Sequence, residues 1–239
     1  MSTVAIIVAL DRELAPLVQG WHALQIHHNG SRFRVYERKN LLAVAGGIGR
    51  NSASAAAYAV IAQYRPQLLI SAGVAGALAP DLKVGTVVVP NRVVDSATGT
   101  EYCFHDGNGV LVTATEIVDS ASKKVLAERF RASAVDMEAY AVAQVARDEQ
   151  IGFRCVKVIS EEADFAMPPL NQFVDERGRF RNAKFAAWAA FHPNWWGGIR
   201  ALARNTELAV QALCDYLRGV NTEEWMIGSG VSKSLPCRS

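Results

Sequence analysis

Short apolar runs, the first of them rich in β-branched residues, constrain this chain most. Residues 4–10 (VAIIVAL), 41–45 (LLAVA) and 68–71 (LLIS) are uninterrupted, and 153–159 (FRCVKVI) is broken only by Arg154 and Lys157. Runs of this length without alternation read as strands buried on both faces. The first two each lead into a turn and then a helical pattern, whereas 68–71 opens into the small-residue stretch 73–80 and a further expected strand over 86–90 (TVVVP). Asp11-Arg12-Glu13 is followed by Leu14, Leu17 and Val18 at helical spacing, and the glycine turn 46–51 by the Ala-rich stretch 52–64 (SASAAAYAVIAQY). Buried strands alternating with amphipathic helices define an α/β chain whose sheet is covered on both faces.

The size fits one such domain: 239 residues, 50% hydrophobic and 20% charged. We read 1–219 as that domain, with an aromatic-rich addition over 166–200. Residues 220–239 carry no periodic pattern and are expected to be a disordered tail. A formal net charge of +2 leaves no electrostatic footprint for nucleic acid. No apolar run is long enough to span a bilayer, and the apolar start meets Asp11 without a basic lead, as a first strand does and a signal peptide does not. The cysteines, Cys103, Cys155, Cys214 and Cys237, show neither metal-ligand spacing nor a dense disulfide framework. A reduced, cytoplasmic setting is the expectation, with Cys237 an exposed thiol of no consequence.

Three places carry candidate chemistry. The first is Asp11-Arg12-Glu13, where the acidic residues serve a helix N-terminus in the plain reading and Glu13 is a candidate general base in the other. The second is Met137-Glu138, at the start of an apolar-periodic helix. The third is Ser160-Glu161-Glu162-Ala163-Asp164, directly past the strand 153–159. Open α/β sheets bind ligands outside the carboxyl ends of their strands. Two small-residue stretches, 46–51 and 73–80, follow strands and allow backbone N–H groups to approach a ligand. The first reads GxGxxS, with Ser52 in place of a third glycine and no acidic partner after a second strand, so a dinucleotide site is disfavoured. Asn29-Gly30 signals a hairpin turn. His27-His28 beside it has no companion ligands and reads as exposed loop, so no metal site is expected. Ser120-x-x-Lys123 reads as a helix start. Residues 202–217 form a strongly amphipathic last helix.

The stretch 46–90 (GGIGRNSASAAAYAVIAQYRPQLLISAGVAGALAPDLKVGTVVVP), with ALDRE before it and VDMEAYAVA and VKVISEEAD after it, resembles the nucleoside phosphorylase and nucleosidase superfamily. Within it the chain is most similar to methylthioadenosine/S-adenosylhomocysteine nucleosidases. The resemblance covers roughly residues 4–164 and the final helix, with four motifs in the family's order. It implies a three-layer α/β/α fold with a mixed central sheet flanked by helices, and at least a homodimer. Its specificity is for the superfamily and not for the substrate. A hopanoid-associated phosphorylase branch, acting on an adenosyl lipid, also fits the apolar addition.

Cleaving an N-glycosidic bond develops positive charge on the sugar and negative charge on the departing base, and it needs no metal or organic cofactor. By resemblance, Glu161 meets the leaving base with Ser160, and Asp164 is a second candidate. Glu138 anchors the ribose hydroxyls over Met137. Ala72 and Gly73 approach the ligand, and Ile117 and Val118 flank the purine. Related phosphorylases hold phosphate through an Arg in the first loop and an Arg and a Ser about the glycine loop. Here Glu13 takes the first position and Val74 replaces a frequent Ser, which favours water over phosphate, while Arg12 and Arg50 remain able to reach an anion. Glu161 stands where the family has Asp.

Between residues 94 and 111 the chain is shorter than these relatives, and 166–200 is added. The addition carries Phe173, Phe180, Phe185, Trp188, Phe191, Trp195 and Trp196 among basic residues. It reads as a helix packed on the domain or as an apolar lid or partner surface, including a membrane surface. The expectation is hydrolysis of an adenosine-type nucleoside with a modified 5′ end. Phosphorolysis, with phosphate as co-substrate, is one alternative, and a non-catalytic nucleoside-binding or storage protein is another. Convergence of Glu13, Glu138 and Glu161 on one pocket separates enzyme from binder.

Overall fold

The computed structural model describes residues 3–104 and 107–220. The expected tail beyond Val220, with Cys237, lies outside the described residues. The first half runs β1 (Val4–Val8), α1 (Asp11–Leu14), β2 (His22–His28), β3 (Ser31–Arg38), β4 (Leu41–Ala45), α2 (Arg50–Tyr64) and β5 (Leu68–Ala77). Then follow β6 (Val87–Val88), β7 (Arg92–Asp95), β8 (Glu101–Cys103), β9 (Val110–Thr113) and α3 (Ser120–Phe130). The rest is β10 (Ala134–Asp136), α4 (Ala139–Asp148), β11 (Gly152–Glu161), α5 (Asn182–Ala190) and α6 (Trp196–Gly219).

The strands form one mixed sheet in the order β2-β3-β4-β1-β5-β10-β9-β7-β8, with β11 beside β5 and β6 beside β11. Helices cover both faces. α2 and α4 pack a core with Leu69, Ile159 and Val44, while α1 and α6 pack another with Ile6, Ile70 and Val158. This is the three-layer α/β/α architecture with a mixed central sheet. Alanines explain the closeness of α2: Ala53, Ala56, Ala57 and Ala59 are buried, and a Cβ on Gly46 would stand 2.8 Å from that of Ala56.

β5 organises the site. β1 pairs with it in parallel only as far as Ser71, and β10 pairs with it antiparallel only from Gly76. β11 runs parallel along its other edge throughout. The edge of β5 between Ser71 and Gly76 is therefore open where β1 and β10 diverge, which is the geometry of a switch-point crevice.

Several expectations change in detail. The strand expected over 68–71 continues to Ala77, so its glycines lie inside a strand and not in a following loop. Its small residues leave room for carboxylates: a Cβ on Gly73 would lie 3.4 Å from Glu13 Oε1, and one on Gly76 only 2.2 Å from Glu161 Oε1. The strand expected over 86–90 shrinks to Val87–Val88. His27 and His28 end a strand, because the Asn29-Gly30 turn, with φ of 47° and 76°, closes the β2–β3 hairpin beside them. The last helix begins at Trp196 and not at residue 202. Cys155 and Cys214 are free and buried, but Cys103 is disulfide-bonded, against the expectation of reduced thiols. Among the described residues no helix is long and apolar enough to cross a membrane.

One buried ion pair ties these elements together. Lys157 Nζ on β11 lies 2.9 Å from Asp136 Oδ2 on β10, with both side chains almost fully buried. Asp136 Oδ1 also accepts from Thr113 Oγ1 at 2.7 Å, and Oδ2 accepts from the Ala139 N–H at 2.8 Å. Burial alone would lower the Lys157 pKa, but Asp136, Cys155 and Glu138 outweigh it and hold the ammonium well above its ordinary value. Removing one charge strands the other. Asp136→Asn is therefore expected to cost about 3–5 kcal/mol of stability. Urea unfolding of both proteins measures it, and a loss below about 1 kcal/mol, the size of an exposed pair, would contradict it.

Candidate active site

The crevice at the open edge of β5 is a cavity of about 310 Å³. Its floor comes from chain ends that the sheet delivers: Ala9, Leu10, Arg12 and Glu13 after β1, Val74–Gly76 on β5, Asp136 ending β10 with Met137 and Glu138 after it, and Ser160–Glu161 ending β11. The β11 register shifts between Ile159 and Glu161, and there the strand turns the last two side chains toward the cavity.

Each glutamate is held differently. Glu13 Oε2 accepts from the N–H groups of Ala9 and Leu10 at 3.0 and 2.9 Å, and Oε1 accepts from the Val74 N–H at 3.3 Å. Glu138 Oε1 accepts from the Gly49 N–H at 2.8 Å, and Oε2 accepts from the Met137 N–H at 3.3 Å. Burial pushes the Glu138 carboxyl up to about 7; Lys157 and the Gly49 N–H pull it down, and Asp136 and Glu13 add to the rise. Glu161 Oε2 accepts a short bond from Ser160 Oγ, and Oε1 lies 3.1 Å from Lys123 Nζ.

The lining therefore brings together Glu13, Met137, Glu138, Ser160, Glu161, Ile117 and Val118. Three expected members fall outside it. Asp164 is solvent-exposed, because the chain turns away from the cavity after Glu161. Ala72 and Gly73 are not in the lining: β5 continues past them, so Val74, Ala75 and Gly76 reach the cavity instead, and Gly73 backs the Glu13 carboxylate. Arg12 lines the cavity, whereas Arg50 does not. Arg50 makes a short ion pair with Asp95 and donates to Thr113 O at 2.8 Å. Burial would raise Asp95, but hydrogen bonds from Arg50, the Ala97 N–H and Thr98 outweigh it and hold the carboxyl at about 2.

The addition forms the roof. Phe173, 1% exposed, is ringed by Phe180, Phe185 and Trp188, with centroids 5.3–6.2 Å away. It is both a packed unit and a lid: Met167, Pro168, Leu170, Phe180 and Phe185 face the cavity, with Ile199 and Leu202 of α6. Two clamps fasten it. Asn171 accepts from the Ile117 N–H at 2.8 Å and donates to Ile117 O at 2.9 Å. On the other side the Ile48 N–H donates to Gly178 O at 2.8 Å, and Ser52 Oγ to Arg177 O at 3.1 Å. Gly178 has φ of +67°, and a Cβ there would stand 2.2 Å from Ile48 O, so glycine is required. Phe191 and Trp196 remain exposed on the outside.

Sequence reasoning missed Lys123, Lys157 and the clamps. Nothing in the spacing of α3 marks Lys123 as its buried residue.

A carboxylate-lined crevice at a strand divergence in an α/β/α fold is where such sheets bind a ligand. The family model described as Phosphorylase superfamily matches residues 3–116 and 104–189, and the chain belongs to that superfamily. Among curated relatives, a 5′-methylthioadenosine/S-adenosylhomocysteine nucleosidase of Listeria welshimeri is 27% identical over 203 residues, covering 68% of this chain and 87% of its own. The aminodeoxyfutalosine nucleosidase of Campylobacter jejuni is 24% identical over 199 residues, covering 68% and 87%. Of solved structures, the nucleosidase of the first type from Helicobacter pylori superposes with a TM-score of 0.69 at 18% identity, over 91% of this chain and 96% of that one.

Raised Glu138 has a stability consequence. The native state keeps this proton up to about pH 7, whereas the unfolded chain releases it near 4.5. Between those values the native state binds more protons, so this group makes stability fall as pH rises. Wild type is expected to lose stability relative to Glu138→Gln across that window and to run parallel to it outside. Unfolding midpoints of both proteins from pH 4 to 8 test this, and parallel curves throughout would contradict it.

Proposed function

We propose that this enzyme hydrolyses the N-glycosidic bond of an adenosine-type nucleoside carrying an apolar 5′ group. The observation that carries the reading is the meeting of Glu13, Glu138 and Glu161 in one cavity. Glu138 takes the ribose hydroxyls, with Met137 beneath the sugar. Glu161 and Ser160 meet the departing base between Ile117 and Val118. Glu13, oriented by the N–H groups of Ala9 and Leu10, takes the proton of the attacking water. The reading requires no metal or organic cofactor.

Water is favoured over phosphate because the groups that would hold an anion at the glycine loop are engaged. The Ile48 N–H and Ser52 Oγ serve the lid, and Arg50 serves Asp95. Arg12, in the lining, is the observation that favours phosphorolysis. The apolar 5′ group is supported by the lid: Met167, Pro168, Leu170, Phe180 and Phe185 offer a wall without charge. A lipid-like 5′ substituent is the extreme of this class. Related nucleosidases named for methylthioadenosine, S-adenosylhomocysteine and aminodeoxyfutalosine agree with a 5′-modified substrate.

Chromatography of the base released from adenosine, methylthioadenosine, S-adenosylhomocysteine and a 5′-alkyl adenosine tests the substrate. The alkyl compound is expected to exceed adenosine in kcat/KM by about tenfold or more, the worth of one or two buried methylenes. Preference for adenosine would contradict the apolar pocket, and release from none would favour the binding-only protein. Glu13→Gln is expected to lower kcat about 10²–10⁴-fold with little change in KM; unchanged kcat would remove Glu13 from the reaction.

A further inference from the structure

The buried cation behind Glu161 has no part in the chemistry described so far. Asp119 caps α3 by accepting from the Ser122 N–H at 2.8 Å, and the next residue is Lys123. Lys123 is 1% exposed, while the apolar Val125 on the same helix is 61% exposed. The helix thus turns a lysine inward and leaves a valine in water, the reverse of what packing alone selects. Lys123 Nζ reaches Glu161 Oε1 at 3.1 Å and Glu162 O at 3.2 Å. β5 makes space for it: a Cβ on Gly76 would stand 3.0 Å from Nζ as well as 2.2 Å from Glu161 Oε1. Lys123 itself does not line the cavity; Glu161 stands between them.

Both Glu161 oxygens are acceptors in this arrangement, Oε1 toward Lys123 and Oε2 toward Ser160 Oγ. Ser160 Oγ also lies 3.3 Å from Ala75 O, with a single proton to share. The ammonium, with three N–H donors, is the group on this side with a proton to give. We propose that Lys123 is the positioning residue of the leaving-group side, aiming Glu161 at the departing base and supplying through it the proton that the base takes. This rests on the N-glycosidase reading above.

The step balances. The bond from C1′ to the base nitrogen breaks and its electron pair stays on the purine. A proton passes from Lys123 Nζ to Glu161 and on to a purine ring nitrogen. Water forms the new bond to C1′ and gives a proton to Glu13. Lys123 is left a neutral amine and Glu13 an acid, and one proton returned through solvent restores both.

The test compares two substrates with the same 5′ group: the adenosine derivative, and the matching p-nitrophenyl riboside, whose nitrophenolate leaves without a proton. Lys123→Met is expected to lower kcat on the adenosine derivative about 100-fold, the low end for loss of an acid, and to leave the nitrophenyl substrate little changed. Lys123→Arg keeps the charge and much of the geometry but does not surrender a proton. It is expected to stay slow on the adenosine derivative alone. Equal loss on both substrates in both variants, or no loss on either, would overturn the proposal, and full rescue by arginine would remove the proton supply. Failure of wild type to cleave either substrate would instead sink the N-glycosidase reading.

Discussion

Negative charge out of water is the constraint on which this structure depends. Glu13, Asp136, Glu138 and Glu161 are each at most 9% exposed around one crevice. Each ion removed from water costs several kcal/mol unless it is compensated. The fold compensates them in different ways. Backbone N–H groups of the first turn face Glu13. Lys157 answers Asp136 and Lys123 answers Glu161. Burial pushes the Glu138 carboxyl up, and the Gly49 N–H, its one good backbone donor, offsets this only in part. The glycines of β5 follow from the same constraint, since a side chain at Gly76 would collide with the Glu161 carboxylate.

The lid extends this logic from charge to solvent. Its aromatic cluster is built on Phe173, and its two clamps reach opposite walls of the cavity, at Ile117 and Ile48. A roof of apolar side chains over buried carboxylates lowers the local dielectric and strengthens each electrostatic contact beneath it. The clamp at Ile48 also engages the glycine loop. One structural device therefore underlies both halves of the proposed reading, an apolar 5′ group and water as nucleophile.

Much of the scaffold was legible in the sequence. The run Leu41–Ala45 is β4 residue for residue, the Asn29-Gly30 turn closes its hairpin, and the alanine stretch 52–64 lies in α2. These succeed because burial on both faces and positive φ leave local signatures. The carboxylates were legible as candidates for the same reason: each sits where a strand or turn ends. What was not legible depends on long-range partners. Residues 72–77 look like a loop because small residues carry no strand signal, yet they are strand so that Glu13 and Glu161 can pack against them. Nothing local marks Lys123 or Lys157 as half of a buried ion pair, because their partners are 38 residues away and across the sheet. Asp164 was the second candidate after Glu161, but the chain leaves the crevice between them.

The account turns on the nucleophile that meets the sugar beneath this lid. The direct measurement is ³¹P NMR of the reaction with a 5′-alkyl adenosine in phosphate buffer. Free base accompanied by an unphosphorylated sugar, with the inorganic phosphate signal unchanged, is the result predicted by an engaged glycine loop and a Glu13-activated water. A sugar 1-phosphate resonance growing in step with the released base would contradict it.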